Sequence, residues 1–225
     1  MQTGAVTGVL PGFTRYSLHP LAKPLVFVVA LLPFFYLLWA AVFDQLGANP
    51  AEALVRSTGD WTLRMLCVVL AVSPLRVLAG NPALARFRRM LGLFVYFYVL
   101  LHLLSYSGFN MAFEVTDIAK DIAKRPFILV GFAAFVLLTS LALTSFNRAI
   151  KALGAKTWQR LHKAVYAVAG LVILHFFWMR AGKNDFAEVA VYAAVLAALL
   201  GWRLLRYLEK KGTKPVFKKR IQLFK

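Results

Sequence analysis

The sequence predicts an all-α membrane protein, a bundle of six transmembrane helices with both termini in the cytoplasm. Three observations lead to this prediction: 60% of the 225 residues are hydrophobic, only 16% are charged, and six apolar stretches divide the chain. Soluble domains average about 45–50% apolar and about 25% charged residues. The composition excludes a disordered chain and argues against a soluble fold. The net charge of +18 leaves two classes to separate, nucleic-acid-binding proteins and membrane proteins.

Each apolar stretch is long enough to cross a bilayer as a helix. The stretches contain 18–21 residues, whereas a spanning helix needs about 20 and a strand only about 4–8. The first stretch exceeds the apolar core of a signal peptide, which has about 7–15 residues, so we expect it to be retained. The stretches lie at residues 25–43, 61–79, 91–108, 127–145, 158–178 and 187–205.

Capping residues and prolines mark several helix ends. Asp60 is expected to be the N-cap of the second helix, and Pro126 is expected in the first turn of the fourth. Pro33 and Pro74 fall inside helices, which membrane helices tolerate when neighbours bond to the freed carbonyl groups. The predicted domain division is an N-terminal cytoplasmic segment at 1–24, a transmembrane domain at 25–205 and a basic cytoplasmic tail at 206–225.

The distribution of charge predicts the orientation of the bundle. With the N-terminus inside, the inner segments hold 20 of the 27 basic residues and only one acidic residue, Glu209. This bias alternates from loop to loop, as the positive-inside rule requires. The tail Lys214–Lys225 adjoins the last span and therefore favours anionic lipid over nucleic acid. The outer loop at 109–125 has the pattern of a short amphipathic helix, which could lie on lipid or contact a periplasmic partner.

Three of the four histidines lie inside the predicted spans, at positions 102, 162 and 175. Ionisable side chains in a membrane are costly and point to function, although a histidine can also bond across helices. His162 and His175 are about 20 Å apart along one helix and cannot bind the same iron. His102 and His175 both lie in the outer half, about 9 Å apart in depth. They are candidate axial ligands of a haem, and the lone Cys67 excludes a paired-thiol redox site.

Arginines near the predicted helix ends are candidate cofactor contacts. At the inner face, Arg76, Arg88 and Arg89 suit an anionic cofactor such as a flavin phosphate, or else anionic lipid headgroups. Arg64 lies about one turn into the second span from the outside. Its side chain either reaches to the membrane interface or binds a propionate of the outer haem.

Seven short motifs in this order resemble those of the MsrQ (YedZ) family, which belongs to the ferric-reductase-like transmembrane group. The similarity covers roughly residues 10–210. The motifs are Thr58-Gly59-x-Trp61, Ser73-Pro74-Leu75-Arg76, Arg88-Arg89-x-Leu91-Gly92, Tyr98-x3-His102, Arg125-Pro126, Leu141-Ala142-Leu143-Thr144-Ser145 and Trp158-x2-Leu161-His162.

The resemblance implies a function in electron transfer. Members of this family are thought to bind haem b and FMN in the bacterial inner membrane and to pass electrons to MsrP. MsrP is a periplasmic molybdopterin enzyme that reduces methionine sulfoxide in envelope proteins. The haem-associated histidines of the family correspond to His102, His162 and His175. Other members of the wider group carry four histidines that bind two haems. This sequence has only three of these histidines, which fits a single outer haem together with an inner flavin.

Two other functions remain open at the level of sequence. A cytochrome b subunit that oxidises quinol for another respiratory enzyme would also contain haem. A small proton-coupled transporter would use the buried histidines as proton relays and would contain no haem. The electron donor is expected to be a cytoplasmic flavin reductase or quinone.

Overall fold

A computed structural model describes residues 17–182, 184–210 and Gly212. Within these residues the chain forms eight α-helices and no strand. The helices are α1 (Ala22–Val42), α2 (Pro50–Leu78), α3 (Arg88–Ser105), α4 (Val115–Lys124), α5 (Pro126–Leu143), α6 (Asn147–Leu161), α7 (Val165–Ala181) and α8 (Ala187–Lys210). Short 3₁₀ segments precede α3 and α7, at Pro82–Phe87 and His162–Ala164, and a π-helical turn at Tyr106–Asn110 ends α3.

Six helical segments are long and apolar enough to cross a membrane, which confirms the predicted all-α bundle. Large apolar side chains such as Phe27, Leu32 and Trp39 on α1 are about half exposed. In a bilayer these side chains meet lipid, while every backbone polar group within a helix is satisfied internally. The predicted orientation, including Arg15 and Lys214–Lys225, depends in part on residues outside the described ones.

The bundle contains two closely packed helix pairs, α2 with α3 and α5 with α7. Helix α3 also contacts α5, α8 packs on both α2 and α7, and α1 lies at the edge against α2 and α3. The side chains of Leu66, Val95, Tyr98 and Val168 are fully buried in this core. Each pair brings one histidine toward the interface between the pairs, on α3 and α7.

Helix α2 begins eleven residues before the predicted start, so the assignment of Asp60 as an N-cap was wrong. The N-cap is Asn49, whose side chain accepts a hydrogen bond from the Glu52 amide at 3.2 Å. Glu52 and Arg56 form an ion pair of 2.6 Å on the added turns. Hydropathy detects only the apolar part of a helix, which lies in lipid. The polar first turns of α2 precede this part, so hydropathy does not include them. The prediction for Pro126, in the first turn of α5, is confirmed.

Two internal prolines have partners near the carbonyl groups they disturb. Pro74 has no N–H, so the carbonyl of Leu70 loses its bond within α2. Arg203 Nη2 on α8 donates to this oxygen at 2.6 Å. Close to Pro33 on α1, the hydroxyl of Tyr98 donates to the Ala30 carbonyl at 2.7 Å. These bonds attach α8 to α2 and α1 to α3.

The predicted amphipathic segment of the outer loop is helix α4, and this prediction is confirmed. The Tyr106 hydroxyl at the end of α3 donates to Asp121 on α4 at 2.5 Å. Arg125, which precedes α5, also binds Asp121. The two contacts fix α4 across the ends of α3 and α5.

We expect Tyr98→Phe to destabilise the bundle, because it removes the buried bond to Ala30 that joins α1 to α3. One such bond contributes about 1 kcal/mol, which corresponds to about 2–4 °C in melting temperature for a chain of this size. Thermal unfolding in detergent measures the shift. Tyr36→Phe is the control, since Tyr36 is 60% exposed on α1. Equal melting temperatures for the two variants would contradict the assigned role.

Candidate functional site

His102 on α3 and His175 on α7 face each other between the two helix pairs. Their ring centroids are 6.4 Å apart, and the ring planes are nearly perpendicular, at 81°. Both side chains are half-buried. The structure therefore brings together the two histidines that the sequence placed in the outer half.

The counted depth difference of about 9 Å requires tilt or softer helix boundaries if the two histidines are to meet. The ring centroids lie 6.4 Å apart, and the fifth apolar stretch is not one regular α-helix. A 3₁₀ segment at His162–Ala164 interrupts it, and the regular helix α7 begins only at Val165. A count from Val165 is seven residues shorter than a count from residue 158, or about 10 Å shorter at 1.5 Å per residue. Residues 158–161 belong to α6, whose backbone is kinked at Gly154, with φ of 73°.

Each of the two histidines donates Nδ1–H to a backbone carbonyl on the partner helix of its pair. His102 Nδ1 lies 2.8 Å from the Val55 oxygen on α2. His175 Nδ1 lies 2.6 Å from the Phe127 oxygen on α5. Since a carbonyl can only accept, this network assigns the proton to Nδ1 in both rings. Nε2 then carries the lone pair that a metal requires.

A glycine makes room for each ring. A Cβ added at Gly131 on α5 would lie 2.7 Å from His175 Nδ1, and one at Gly59 on α2 would lie 3.1 Å from His102 Cε1. Each glycine follows the accepting carbonyl by four residues, so both pairs repeat one arrangement. The separation from acceptor to histidine is 47 residues in the first pair and 48 in the second. Gly59 belongs to a quoted motif, but sequence reasoning missed Gly131 and this internal repeat.

The spacing of the two rings fits axial ligation of one haem iron. An imidazole nitrogen binds a first-row metal at about 2 Å, with the ring centroid about 1 Å behind, so two axial rings have centroids about 6 Å apart. Two imidazoles alone do not complete a metal site, and the described residues contain no group of three or more His, Cys, Asp or Glu suited to a metal ion. A porphyrin supplies the four further nitrogens.

His162 has a different environment. Its ring packs against that of Trp158, with centroids 4.0 Å apart and planes tilted by 32°, and its Nε2 lies 3.3 Å from the Thr144 hydroxyl oxygen. That hydroxyl donates to the Ser140 carbonyl at 2.8 Å, so His162 Nε2–H is the donor to it. The indole N–H of Trp158 donates to the Thr144 carbonyl at 2.9 Å. His162 is thus fixed between α5 and α6 and does not share the Nδ1–carbonyl arrangement.

The predicted arginines occupy both ends of the bundle. Arg64 Nε donates to the Tyr192 hydroxyl at 3.2 Å, and its guanidinium lies 4.8 Å from the Trp61 ring centroid. Arg88 donates to Ser73 Oγ at 3.1 Å, and Arg89 to Asn147 Oδ1 at 2.7 Å. Arg76 is exposed. The structure does not gather these four arginines at one place.

We expect Gly131→Ala to lower haem occupancy by about 10-fold or more, because its methyl group would displace the His175 ring from its carbonyl acceptor. Gly59→Ala should have a smaller effect, since its closest contact is longer. Haem per protein and the low-spin electron paramagnetic resonance spectrum of the ferric form measure both. Gly170→Ala is the control on α7, where an added Cβ meets nothing within 4 Å. Wild-type occupancy in Gly131→Ala would refute the assigned role of this glycine.

Comparison with known proteins places the chain in a family. Residues 58–174 match the family described as "Ferric reductase like transmembrane component", a match that includes His102 and His162 and ends just before His175. No solved structure matches the chain.

Three relatives carry the name "Protein-methionine-sulfoxide reductase heme-binding subunit MsrQ". The protein from Polaromonas naphthalenivorans is 71% identical over 89% of this chain and 92% of its own length. The Bordetella pertussis protein is 51% identical over 84% of this chain and 92% of its own. The Xanthomonas oryzae pv. oryzae protein is 43% identical over 86% and 90%, respectively. By these similarities the chain belongs to the MsrQ family of ferric-reductase-like transmembrane proteins.

Proposed function

We propose that this chain is the membrane electron-transfer subunit of a periplasmic methionine sulfoxide reductase system. It binds haem b and FMN in the bacterial inner membrane. It passes electrons from a cytoplasmic flavin reductase or the quinone pool to a molybdopterin reductase of the MsrP type. That partner, and not this chain, reduces methionine sulfoxide in oxidised envelope proteins. The names of the relatives, each a heme-binding subunit of such a reductase, support this proposal.

The observation that carries the proposal is the pair of imidazoles on α3 and α7, with centroids 6.4 Å apart. When bound, haem iron accepts and releases single electrons. His102 and His175 hold it through Nε2. The carbonyls of Val55 and Phe127 fix the orientation of both rings and make the imidazoles more basic. More basic axial ligands favour the ferric state and so lower the potential of the iron.

The proposed FMN lies at the inner end of the bundle, where Arg88, Arg89 and Arg76 provide positive charge. The His162 ring, which packs against Trp158, lies at the same end. Arg88 and Arg89 each use one guanidinium nitrogen for a contact within the protein. In the described part of the chain their remaining N–H groups have no partner, and these groups can bind an anion. Anionic lipid headgroups are the competing ligands at this face.

At the outer end, Arg64 is the proposed partner of a haem propionate. Its contacts with Tyr192 and Trp61 hold the guanidinium near the end of α2 that carries Gly59. The reductase partner docks on the same side, at the loop that contains α4. The network of Tyr106, Asp121 and Arg125 connects this loop to α5, whose Phe127 bonds to His175.

We expect His102→Ala and His175→Ala each to abolish haem binding, because each removes one axial ligand. His162→Ala should keep most of the haem, since His162 is fixed by Thr144 and Trp158 and lies outside the pair. The Soret absorbance per protein and a pyridine haemochrome assay measure the loss. Equal loss in all three variants would show that the pairing of His102 with His175 is wrong.

The response of the haem to an electron acceptor distinguishes the proposed function from the two alternatives, a quinol-oxidising cytochrome b subunit and a proton-coupled transporter. In detergent, haem reduced by flavin reductase or by quinol should be reoxidised rapidly by an MsrP-type reductase only when methionine sulfoxide is present. Rapid-mixing absorbance of the ferrous haem bands follows the reaction. Reduction by quinol with no response to the reductase would indicate the cytochrome b function. A purified protein without a Soret band would indicate the transporter function.

A further inference from the structure

Arg203 is a half-buried basic residue that the sequence analysis counted only as part of the inner positive charge. Its guanidinium contacts two other helices. Nη2 donates to the Leu70 carbonyl on α2 at 2.6 Å, and the group lies 5.4 Å from the ring centroid of Tyr166 on α7. The missing N–H of Pro74 creates this acceptor, so the backbone of α2 determines where Arg203 is held.

The other terminal nitrogen of Arg203, Nη1, is buried and has no hydrogen-bond partner among the described residues. A buried N–H group without a partner is costly, and more so when it carries charge in a membrane. The charged group nearest along α8 that could neutralise it is Glu209, which pairs with Arg206 at 3.4 Å. Within the described residues, Arg203 therefore has an unused donor and no carboxylate partner.

A second arginine lies beside this position. Arg88 Nη1 donates to Ser73 Oγ at 3.1 Å, and Ser73 lies one helical turn beyond Leu70 on the same face of α2. Among the described residues, neither guanidinium forms an ion pair with a carboxylate. Two guanidinium groups that bond to the same helix about one turn apart, without a carboxylate partner in the described part of the chain, are characteristic of an anion site.

We propose that Arg203 and Arg88, with the hydroxyl of Ser73, form a binding site for a phosphate ester at the inner end of α2, α3 and α8. Arginine suits this ligand because its planar N–H groups match two phosphate oxygens. The phosphate could belong to FMN or to a phospholipid headgroup, which share this chemistry. The inference rests on the proposed function only for the choice of FMN as the soluble probe.

The first arm of the test compares FMN with riboflavin, which lacks the phosphate. The haem-loaded protein is placed in nanodiscs of phosphatidylcholine, and flavin binding is followed by fluorescence quenching. We expect FMN to bind at least about 10-fold more tightly than riboflavin, and Arg203→Gln to remove that difference. Arg206→Gln is the matched control, because Arg206 lies on the same helix and is exposed.

The second arm tests a phospholipid headgroup. Wild-type protein in nanodiscs that contain phosphatidylglycerol is compared with Arg203→Gln by native mass spectrometry. Loss of one retained phosphatidylglycerol in the variant, with no preference for FMN in the first arm, assigns the site to lipid. Unchanged behaviour of Arg203→Gln in both arms overturns the proposal.

A double variant separates phosphate binding from the structural bond to Leu70. Pro74→Ala restores the N–H that bonds to the Leu70 carbonyl, so Pro74→Ala/Arg203→Gln should fold without Arg203. The Soret band of the outer haem reports on folding in each variant, and its absence in the wild type would contradict the proposed function instead. If the double variant retains haem and wild-type affinity for phosphate, Arg203 has only a structural role.

Discussion

The hydrogen bonds from two imidazoles to backbone carbonyls are the constraint on which the rest of the site depends. His102 and His175 lie on different helix pairs, yet each bonds to the partner helix of its own pair. The protein itself therefore orients the rings, and Nε2 of neither ring has a hydrogen-bond partner among the described residues. Gly131 is needed because a Cβ there would clash with the His175 ring, whereas a Cβ at Gly59 would require the His102 ring to move by a few tenths of an ångström. Pairing, tautomer and ring angle follow from this one arrangement.

Other hydrogen bonds between the helices form because polar groups in an apolar medium need a partner. Arg203 bonds to the carbonyl that Pro74 frees, and Tyr98 bonds to the Ala30 carbonyl near Pro33. The hydroxyl of Thr58 donates to the Leu54 carbonyl at 2.7 Å while lying 3.5 Å from His102 Nδ1. Water is absent from the hydrocarbon region, so each such group must find a partner within the protein. Most of these partners lie on another helix and thus determine how the helices pack.

The sequence was sufficient for the six spans and for the pair of histidines, because apolar length and buried ionisable residues are local signals. It failed where the signal depended on distant residues. The polar turns of α2 before Asp60 and the 3₁₀ break at His162 changed the helix limits that hydropathy predicts. Gly131 and Arg203 were missed because a glycine or an arginine acquires meaning only beside its partner on another helix. The order of acceptor, glycine and histidine occurs twice in the chain, and recognition of this repeat in the sequence would have identified Gly131.

The placement of the two histidines on separate helix pairs also bears on how the protein assembles. A haem bound by both would crosslink the α2–α3 half to the α5–α7 half, which otherwise meet through α3 with α5 and through α8. If haem binds only when the two halves are packed together, it stabilises the packed bundle by mass action. The supply of haem during biogenesis would then set the lifetime of the folded subunit in the membrane, in addition to its capacity to carry electrons.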